Sequence, residues 1–318
     1  MNMRKFLAGS AASVIMLGSI AGFAAADTLP TINFESPAYN LGNINGQNGW
    51  SKTGAYDVEV ASVAAFPNAS GFGFGAQALR ASNAVTSGSF GDQTFSPALT
   101  SPAGESTSTS HFEASFAVGS TLSTQQPGLF TSISPDDGNG SRMSYVGLDD
   151  QADGIHVIFY DVTNPGPLGT VSSFNPSDIA TIDRTTAHTI KFVIDFVAGP
   201  GNDVVKVYVD GVLKKTGTSW EDYYRYDPEQ NGNGNLVPTT SKLLFREGGA
   251  AVPANAGNGY LFDNVNLMSQ APVVVVGPPT DKNQCKNGGW QTFNNPSFKN
   301  QGQCVSYVQS NERAGKRN

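Results

Sequence analysis

The sequence predicts an all-β protein, a sandwich of two antiparallel sheets of the jelly-roll type. Residues 188–196 and 204–209 alternate apolar and polar side chains, which is typical of strands with one buried face. Asp210-Gly211 then fits a type I′ turn, and a return strand begins at Val212. Charged residues make up only 14% of the chain, and long helical periodicity is missing.

Short strand-like runs recur between turn segments rich in Gly, Pro, Asn and Asp. One short helical turn is expected at residues 175–180. Together these elements predict one sizeable β domain from residue 27 to residue 268. The predicted strands are residues 31–35, 58–62, 77–81, 110–118, 129–134, 143–148, 154–161, 188–196, 204–209, 242–246 and 260–267.

The first 26 residues have the pattern of a secretory signal peptide. Arg4 and Lys5 precede an apolar stretch at 6–23, and Ala24-Ala25-Ala26 supplies the small residues that a signal peptidase requires. We therefore expect cleavage before Asp27 and export, either to a periplasm or to the medium. No later apolar run is long enough to cross a bilayer, so no membrane span is expected after cleavage.

The net charge of −7 is unevenly distributed. Acidic residues predominate up to about residue 280, whereas the last part of the chain is basic. An acidic body argues against nucleic acid and anionic membranes as partners.

The C-terminal part is predicted to be a separate tail that is cross-linked by one disulfide. Residues 269–281 contain Pro278-Pro279 and predict a stiff linker, although residues 273–276 could instead pair as an edge strand. The basic tail, 282–318, holds both cysteines of the chain, Cys285 and Cys304. In an exported protein such a pair predicts one disulfide.

Three segments resemble a known superfamily. The hairpin KVYVDGVLKKTG, the strand YLFDNVNL and the strand TINFES are similar to the concanavalin A-like lectin/glucanase superfamily, and more narrowly to laminin-G-like jelly rolls of exported bacterial proteins. The resemblance implies two curved antiparallel sheets whose first and last strands are neighbours. The resemblance does not assign a catalytic role to this chain, because this superfamily contains both binding proteins and enzymes.

The segment SWEDYYRYD is the predicted binding site. Sugars offer apolar C–H faces and hydroxyl groups, so their sites need flat aromatic rings and fixed carboxylates or amides. The leading hypothesis is an exported protein that binds a glycan or another extracellular polymer without catalysis. The alternative for this segment is that its aromatics cover one end of the sandwich and that Arg225 pairs with an acid. The candidate residues are Trp220, Glu221, Asp222, Tyr223, Tyr224, Arg225, Asp227, Arg246 and Glu247, the last two in a loop-like FREGG.

Two other functions stay open. A polysaccharide-cleaving enzyme of this fold would use Glu221 or Asp222 with a distant carboxylate. However, the Glu-x-Asp-x-x-Glu strand pattern is missing; Asp57 and Glu59 supply only a correctly spaced pair. The histidines, at positions 111, 156 and 188, have no Gly-x-Ser-x-Gly elbow beside them. The third hypothesis is a structural or adhesion protein that is attached through its tail.

Calcium is the only cofactor that the sequence suggests. Oxygen-bearing side chains gather in two turns, and calcium takes six to eight oxygen ligands. Asp and Asn also fill turns for purely conformational reasons. The candidate ligands are Asp149, Asp150 and Asp153, which are slightly preferred, and Asp136, Asp137 and Asn139.

Overall fold

Two antiparallel β-sheets face each other and form the body of the protein. The computed structural model describes residues 26–54, 57–87, 92–233, 237–271, 277–293 and 295–314. Within these residues the strands are β1 (Asp27–Thr28), β2 (Ser51–Thr53), β3 (Asp57–Ser62), β4 (Gln77–Ser82), β5 (Gln93–Phe95), β6 (His111–Ser120), β7 (Phe130–Asp136), β8 (Val146–Gln151), β9 (Gly154–Thr163), β10 (Ser173–Ile182), β11 (His188–Asp195), β12 (Val204–Val209), β13 (Val212–Gly217), β14 (Lys242–Glu247) and β15 (Tyr260–Gln270). The helices are α1 (Glu221–Tyr226) and α2 (Gln301–Ala314), and short 3₁₀ turns lie at Val63–Ala65, Pro67–Gly71, Pro228–Asn233, Pro253–Asn255, Lys282–Cys285 and Gly289–Thr292.

The strand order of both sheets confirms the predicted antiparallel sandwich. Sheet A has the order β13-β12-β11-β6-β15-β4-β3, and β1 also pairs with β15. Sheet B has the order β10-β9-β8-β7-β14-β5-β2. Asp27 of β1 lies opposite Ser269 of β15, so the first and last strands of the body are neighbours, as the resemblance implied.

The three strands β11, β12 and β13 at residues 188–217 form one side of sheet A, with β13 at its edge. Ile190, Phe192 and Ile194 are buried and alternate with side chains that are less buried, as their period of two predicts. Asp210 and Gly211 both have positive φ angles, of 50° and 74°. This is the backbone geometry of a type I′ turn, which matches the twist of the two strands that it joins.

Aromatic rings from both sheets meet at the centre of the sandwich. Phe245 of sheet B contacts Phe116 and Phe262 of sheet A, with ring centroids 6.1 and 5.1 Å apart. Trp50 packs against the same Phe245 ring at 5.8 Å. Burial of each such side chain stabilises the fold by roughly 1.5–3 kcal/mol.

Three local predictions from the sequence are wrong. Residues 175–180 lie in β10, not in a helical turn, because β10 is an edge strand whose irregular pairing with β9 accommodates Pro176 and a bulge after Asp178. The loop-like FREGG begins with the end of β14, which pairs with β7 as far as Glu247. Residues 31–35 make only one isolated bridge, between Ile32 and Val265.

Glu247 lies inside the sandwich and not at its surface. The side chain is fully buried, and the Thr131 hydroxyl donates a hydrogen bond to its carboxyl group at 2.8 Å. Burial raises the pKa of Glu247 to about 8. Glu247 therefore carries a proton at neutral pH in the folded protein, although it is ionised in the unfolded chain.

The C-terminal tail has a small core of its own. Cys285 and Cys304 form the predicted disulfide, with Cα atoms 5.7 Å apart. Both cysteines pack with Phe293, Phe298 and Val308 in a cluster of tail residues. The preceding strand, β15, ends at Gln270, inside the predicted linker 269–281.

The helices of the described residues include none that is both long and apolar enough to cross a membrane. The signal peptide predicted at 1–26 lies, except for Ala26, outside the described residues. The same holds for the possible edge strand at 273–276.

We predict that Glu247→Gln removes part of the pH dependence of stability. Between the unfolded pKa near 4.3 and the folded pKa of about 8, the folded state binds a proton that the unfolded chain has lost, so the free energy of unfolding falls as pH rises. Urea denaturation should show the wild type losing about 2 kcal/mol from this group between pH 6 and pH 8. Glu247→Gln should be the more stable protein at pH 8. Equal slopes for the wild type and this variant would contradict the account, and the exposed Glu229→Gln provides the control.

We also predict that the double substitution Cys285→Ser, Cys304→Ser unfolds the tail and spares the body. A disulfide that closes a loop of this size contributes about 3 kcal/mol in the chain-entropy model. Calorimetry should show an unchanged main transition, while proteolysis should cleave the tail faster than in the wild type. A fall of several degrees in the main transition would show that the body depends on the tail.

Candidate functional site

The predicted site segment folds into α1, and its aromatic side chains are buried. Trp220, Tyr223 and Tyr224 are only 8%, 9% and 4% exposed. The helix is anchored at its start, where the Trp220 amide donates to the carbonyl of Met143 at 3.0 Å. These rings are therefore packing residues and do not offer a free face to a sugar.

Helix α1 lies across the outer face of sheet B, the face turned away from sheet A. Tyr145 and Tyr160 point to this face because they alternate with the core residues Val146 and Phe159. The Trp220 ring stacks on Tyr145 at 5.9 Å and an angle of 18°. Its indole N–H donates to the carbonyl of Tyr160 at 3.0 Å. The aromatic residues of the segment thus cover part of a sheet face, while Glu221 and Arg225 contact the loop between β11 and β12 at one end of the sandwich.

Arg246 and Glu247 point to opposite sides of β14. Successive side chains on a strand alternate, so Arg246 lies on the outer face with Tyr145 while Glu247 enters the core. Burial first, and the nearby Arg142 second, lower the pKa of Arg246. The structure therefore brings Arg246 and Trp220 to one face of sheet B and separates Glu247 from them.

Four aromatic side chains on this outer face remain at least partly exposed. They are Phe130, Tyr145, Tyr160 and Phe174, which we call the aromatic face. Phe174 is 43% exposed and contacts the edge of Trp220 at 5.1 Å.

Two glycines leave room for the Phe130 ring of the aromatic face to lie close to the sheet. A β-carbon at Gly147 or at Gly248 would lie 2.5 or 2.8 Å from the Phe130 ring. A larger residue at either position would displace this ring. Phe130 thus lies against the backbone of the sheet.

The aromatic face was not predicted from the sequence, because its rings come from separate segments and form no dense cluster along the chain. The available signal was the run GIHVIFYDV in β9, in which Ile158 and Tyr160 are apolar or aromatic on the face opposite Val157 and Phe159. Cover on both faces is favourable for a strand that is apolar on both. Helix α1 covers part of the outer face of sheet B, and the rest of that face is open to solvent.

The polar residues of α1 point away from this face, into a separate acidic group. Arg225 donates to Glu105 and, at 3.3 Å, to Glu221. The other Glu221 oxygen accepts the amides of Asn202 and Asp203 at 3.0 and 3.1 Å. Burial, followed by the charge of Asp203, raises the pKa of Glu221 to about 7.

A surface cleft of about 430 Å³ opens beside this group, and we call it the acidic cleft. One oxygen of Asp222 is buried there without a hydrogen-bond partner, and burial raises the pKa of its carboxyl group. Asp227 does not reach the cleft, because its carboxylate accepts the amides of Ser172 and Glu229. The lining residues are Val162, Thr163, Asn164, Pro165, Gly201, Thr218, Ser219, Glu221 and Asp222.

The carboxylates of the preferred calcium candidate already have protein partners. Arg184 donates to Asp150 at 2.8 Å, and His156 lies 2.8 Å from Asp153. Asp149 accepts from the side chain of Gln151 at 3.0 Å.

The other calcium candidate is a hydrogen-bonded turn. Asp136 accepts the Gly138 amide at 2.6 Å, and Asp137 accepts the Asn139 amide at 2.7 Å. In the part of the chain that the structure describes, no group of three or more His, Cys, Asp or Glu residues has the arrangement of a metal site.

The remaining candidates for catalysis are also engaged. Asp57 and Glu59 both contact the buried guanidinium of Arg80, at 2.8 Å and 3.0 Å. Each histidine lies between two carboxyl groups. His111 contacts Asp195 and Glu113, His156 contacts Asp178 and Asp153, and His188 contacts Asp210 and Asp183.

No protein-family model matches the chain, and no curated protein matches it. Among solved structures, the alginate lyase Aly36B is 11% identical with a TM-score of 0.40, covering 76% of this chain and 96% of that chain. The CBM2 module of the Lactobacillus casei BL23 phage J-1 evolved Dit is 10% identical with a TM-score of 0.40, covering 79% and 98%. A sialidase is 14% identical with a TM-score of 0.39, and the match covers 74% of this chain but only 17% of the sialidase. Likenesses this distant assign no function.

We predict that Trp220→Ala lowers the free energy of unfolding by about 3–5 kcal/mol, since it empties a packed site between α1 and sheet B. Chemical denaturation measures the loss. Phe174→Ala should cost less than about 1.5 kcal/mol, because Phe174 is 43% exposed. Equal effects of the two substitutions would show that Trp220 does not anchor α1.

Proposed function

We propose that the protein binds a glycan on the aromatic face of sheet B and does not cleave it. The observation that carries the proposal is the exposure of Phe174, together with the partial exposure of Phe130, Tyr145 and Tyr160, on one sheet surface. A sugar ring presents apolar C–H groups that pack against such rings. Side chains on a sheet are held by the strands, so binding would order few new groups.

Polar groups next to these rings suit the hydroxyls of a sugar. Gln93 of β5 lies opposite Arg246 of β14, which places an amide and a guanidinium side by side. Burial raises the pKa of Tyr145 to about 12, so its phenol keeps a proton at neutral pH. The face therefore combines stacking surfaces with hydrogen-bond donors and acceptors, which is what oriented sugar binding needs.

Hydrolysis in the acidic cleft is the second candidate function. The supporting observation is that Glu221, whose pKa is about 7, lines the cleft beside Asp222. Against it, both oxygens of Glu221 already accept hydrogen bonds, from two backbone amides and from Arg225. These bonds favour a structural role in which Glu221 ties α1 to the loop at residues 201–203.

The binding proposal predicts that Phe130→Ala and Phe174→Ala each weaken glycan affinity about tenfold, which corresponds to about 1.4 kcal/mol of lost stacking. A glycan array identifies the ligand, and calorimetric titration measures the dissociation constants. Asp222→Asn in the acidic cleft is the control and should bind as the wild type does. Loss of binding in Asp222→Asn, with both aromatic variants unaffected, would move the site to the cleft. An array without any bound glycan would remove the proposal.

Absence of turnover is a separate prediction. Incubation of the wild type with the bound polysaccharide should release no new reducing or unsaturated sugar ends over hours. If products form and Glu221→Gln, which preserves the shape of the side chain, abolishes them, the acidic cleft is an active site and the non-catalytic proposal is wrong.

A further inference from the structure

Strand β10 is an edge of sheet B and contributes little to the core. Among the described strands it pairs only with β9. Of its 10 residues only Ile182 is fully buried, while Ile179 and Ala180 are partly buried against the core. The pairing with β9 has a bulge after Asp178, and Pro176 has no amide hydrogen to donate. Side-chain links to neighbouring elements are therefore important for holding β10 in place.

Phe174 and Asp178 project from the same face of β10, the outer face of sheet B. Side chains at every second position of a strand share a face. Asp178 lies opposite Ile158 of β9, whose neighbours Val157 and Phe159 point into the core. Whatever ties Asp178 to the rest of sheet B therefore also steadies the strand that carries Phe174, one of the rings of the aromatic face.

Asp178 is bound by His156 of β9, which also contacts a second carboxylate. Nδ1 of His156 contacts Asp178, and its Nε2 lies 2.8 Å from Asp153 in the turn between β8 and β9. On β8, Asp149 is the register partner of His156. The charge of Arg184, in the loop after β10, is felt at Asp153. We call the group of Asp153, His156 and Asp178 the histidine clamp.

The histidine clamp needs a proton on both ring nitrogens. A neutral imidazole has one N–H donor and one acceptor nitrogen, whereas the imidazolium has two donors. Because a carboxylate lies at each nitrogen, a neutral His156 would set its acceptor nitrogen against Asp153 or Asp178. Hydrogen bonds to Asp153 and to Asp178 accordingly raise the pKa of His156.

The histidine clamp is strongest in mildly acidic solution. The folded state holds the proton of His156 more tightly than the unfolded chain, in which the pKa of a histidine is about 6.5. Its contribution is therefore fully present below that value and is lost as the pH rises through the higher pKa of the folded state. Without this proton, the carboxylates of Asp149, Asp153 and Asp178 face only the charge of Arg184.

We propose that the histidine clamp regulates the aromatic face by pH. While both ring nitrogens of His156 are protonated, the clamp holds β10 against β9 and the β8–β9 turn and keeps Phe174 in place. Loss of one proton as the pH rises loosens β10 and lowers the affinity of the aromatic face. The effect on affinity rests on the proposed function, whereas the loosening of β10 does not.

Hydrogen exchange of the β10 amides, followed by NMR without any ligand, tests the clamp itself. From pH 6 to pH 8 the protection factors at residues 173–178 of the wild type should fall about threefold, the scale of one exposed ion pair. His156→Gln should show no such fall, because glutamine does not titrate. His111→Gln is the matched control and should behave as the wild type does, since His111 also lies between two carboxyl groups but on sheet A. The contribution of Glu247 to the pH dependence is common to all three proteins.

Glycan affinity at the same two pH values tests the effect on the aromatic face. The probe is the oligosaccharide that gives the strongest signal on the glycan array. The wild type and His111→Gln should bind it about threefold more weakly at pH 8 than at pH 6. His156→Gln should bind equally at both, and circular dichroism checks that each variant is folded.

The two measurements separate the possible failures. The clamp is overturned if the protection of β10 in the wild type does not change with pH, or if His156→Gln keeps the change. Regulation is overturned if β10 loosens while the glycan affinity stays constant. If β10 loosens but no glycan binds at either pH, the proposed function is wrong and the clamp is supported on its own.

Discussion

The outer face of sheet B carries aromatic and apolar side chains among polar ones, and much of the molecule follows from this constraint. Phe159 enters the sandwich core, while Tyr160 beside it points outward. An apolar outer face must be covered, and α1 covers it through the stack of Trp220 on Tyr145. Because the helix is short, it leaves part of the face open. The same constraint thus explains both the buried helix and the exposed aromatic rings beside it.

The fold was largely predictable from the sequence, whereas the site was not. Period-two patterns such as Ile190, Phe192 and Ile194 report directly on a buried strand face. The role of Trp220 could not be inferred in this way, because an aromatic residue in a polar segment suits a packing site and a binding site equally. Only the three-dimensional structure brings Tyr145 against it. Arg246 and Glu247 show the opposite case: had the predicted strand at 242–246 been extended by one residue to Glu247, alternation alone would have separated them.

Buried carboxyl groups illustrate why acidic residues are weak evidence of function in a single sequence. Glu221 is tied to backbone amides and an arginine, and Glu247 accepts a hydroxyl inside the core. Asp263 retains an oxygen without any partner. The three look alike in the sequence, but their partners assign the first two to the packing of the body.

The central claim is that a ligand binds the open part of the outer face of sheet B. An NMR titration with an oligosaccharide, following aromatic ring and backbone amide resonances, tests it most directly. The account predicts that the rings of Phe130, Tyr160 and Phe174 shift and saturate together, while the amides of Gly201 and Thr218 in the acidic cleft stay in place. Shifts confined to Gly201 and Thr218, with unchanged aromatic rings, would contradict it.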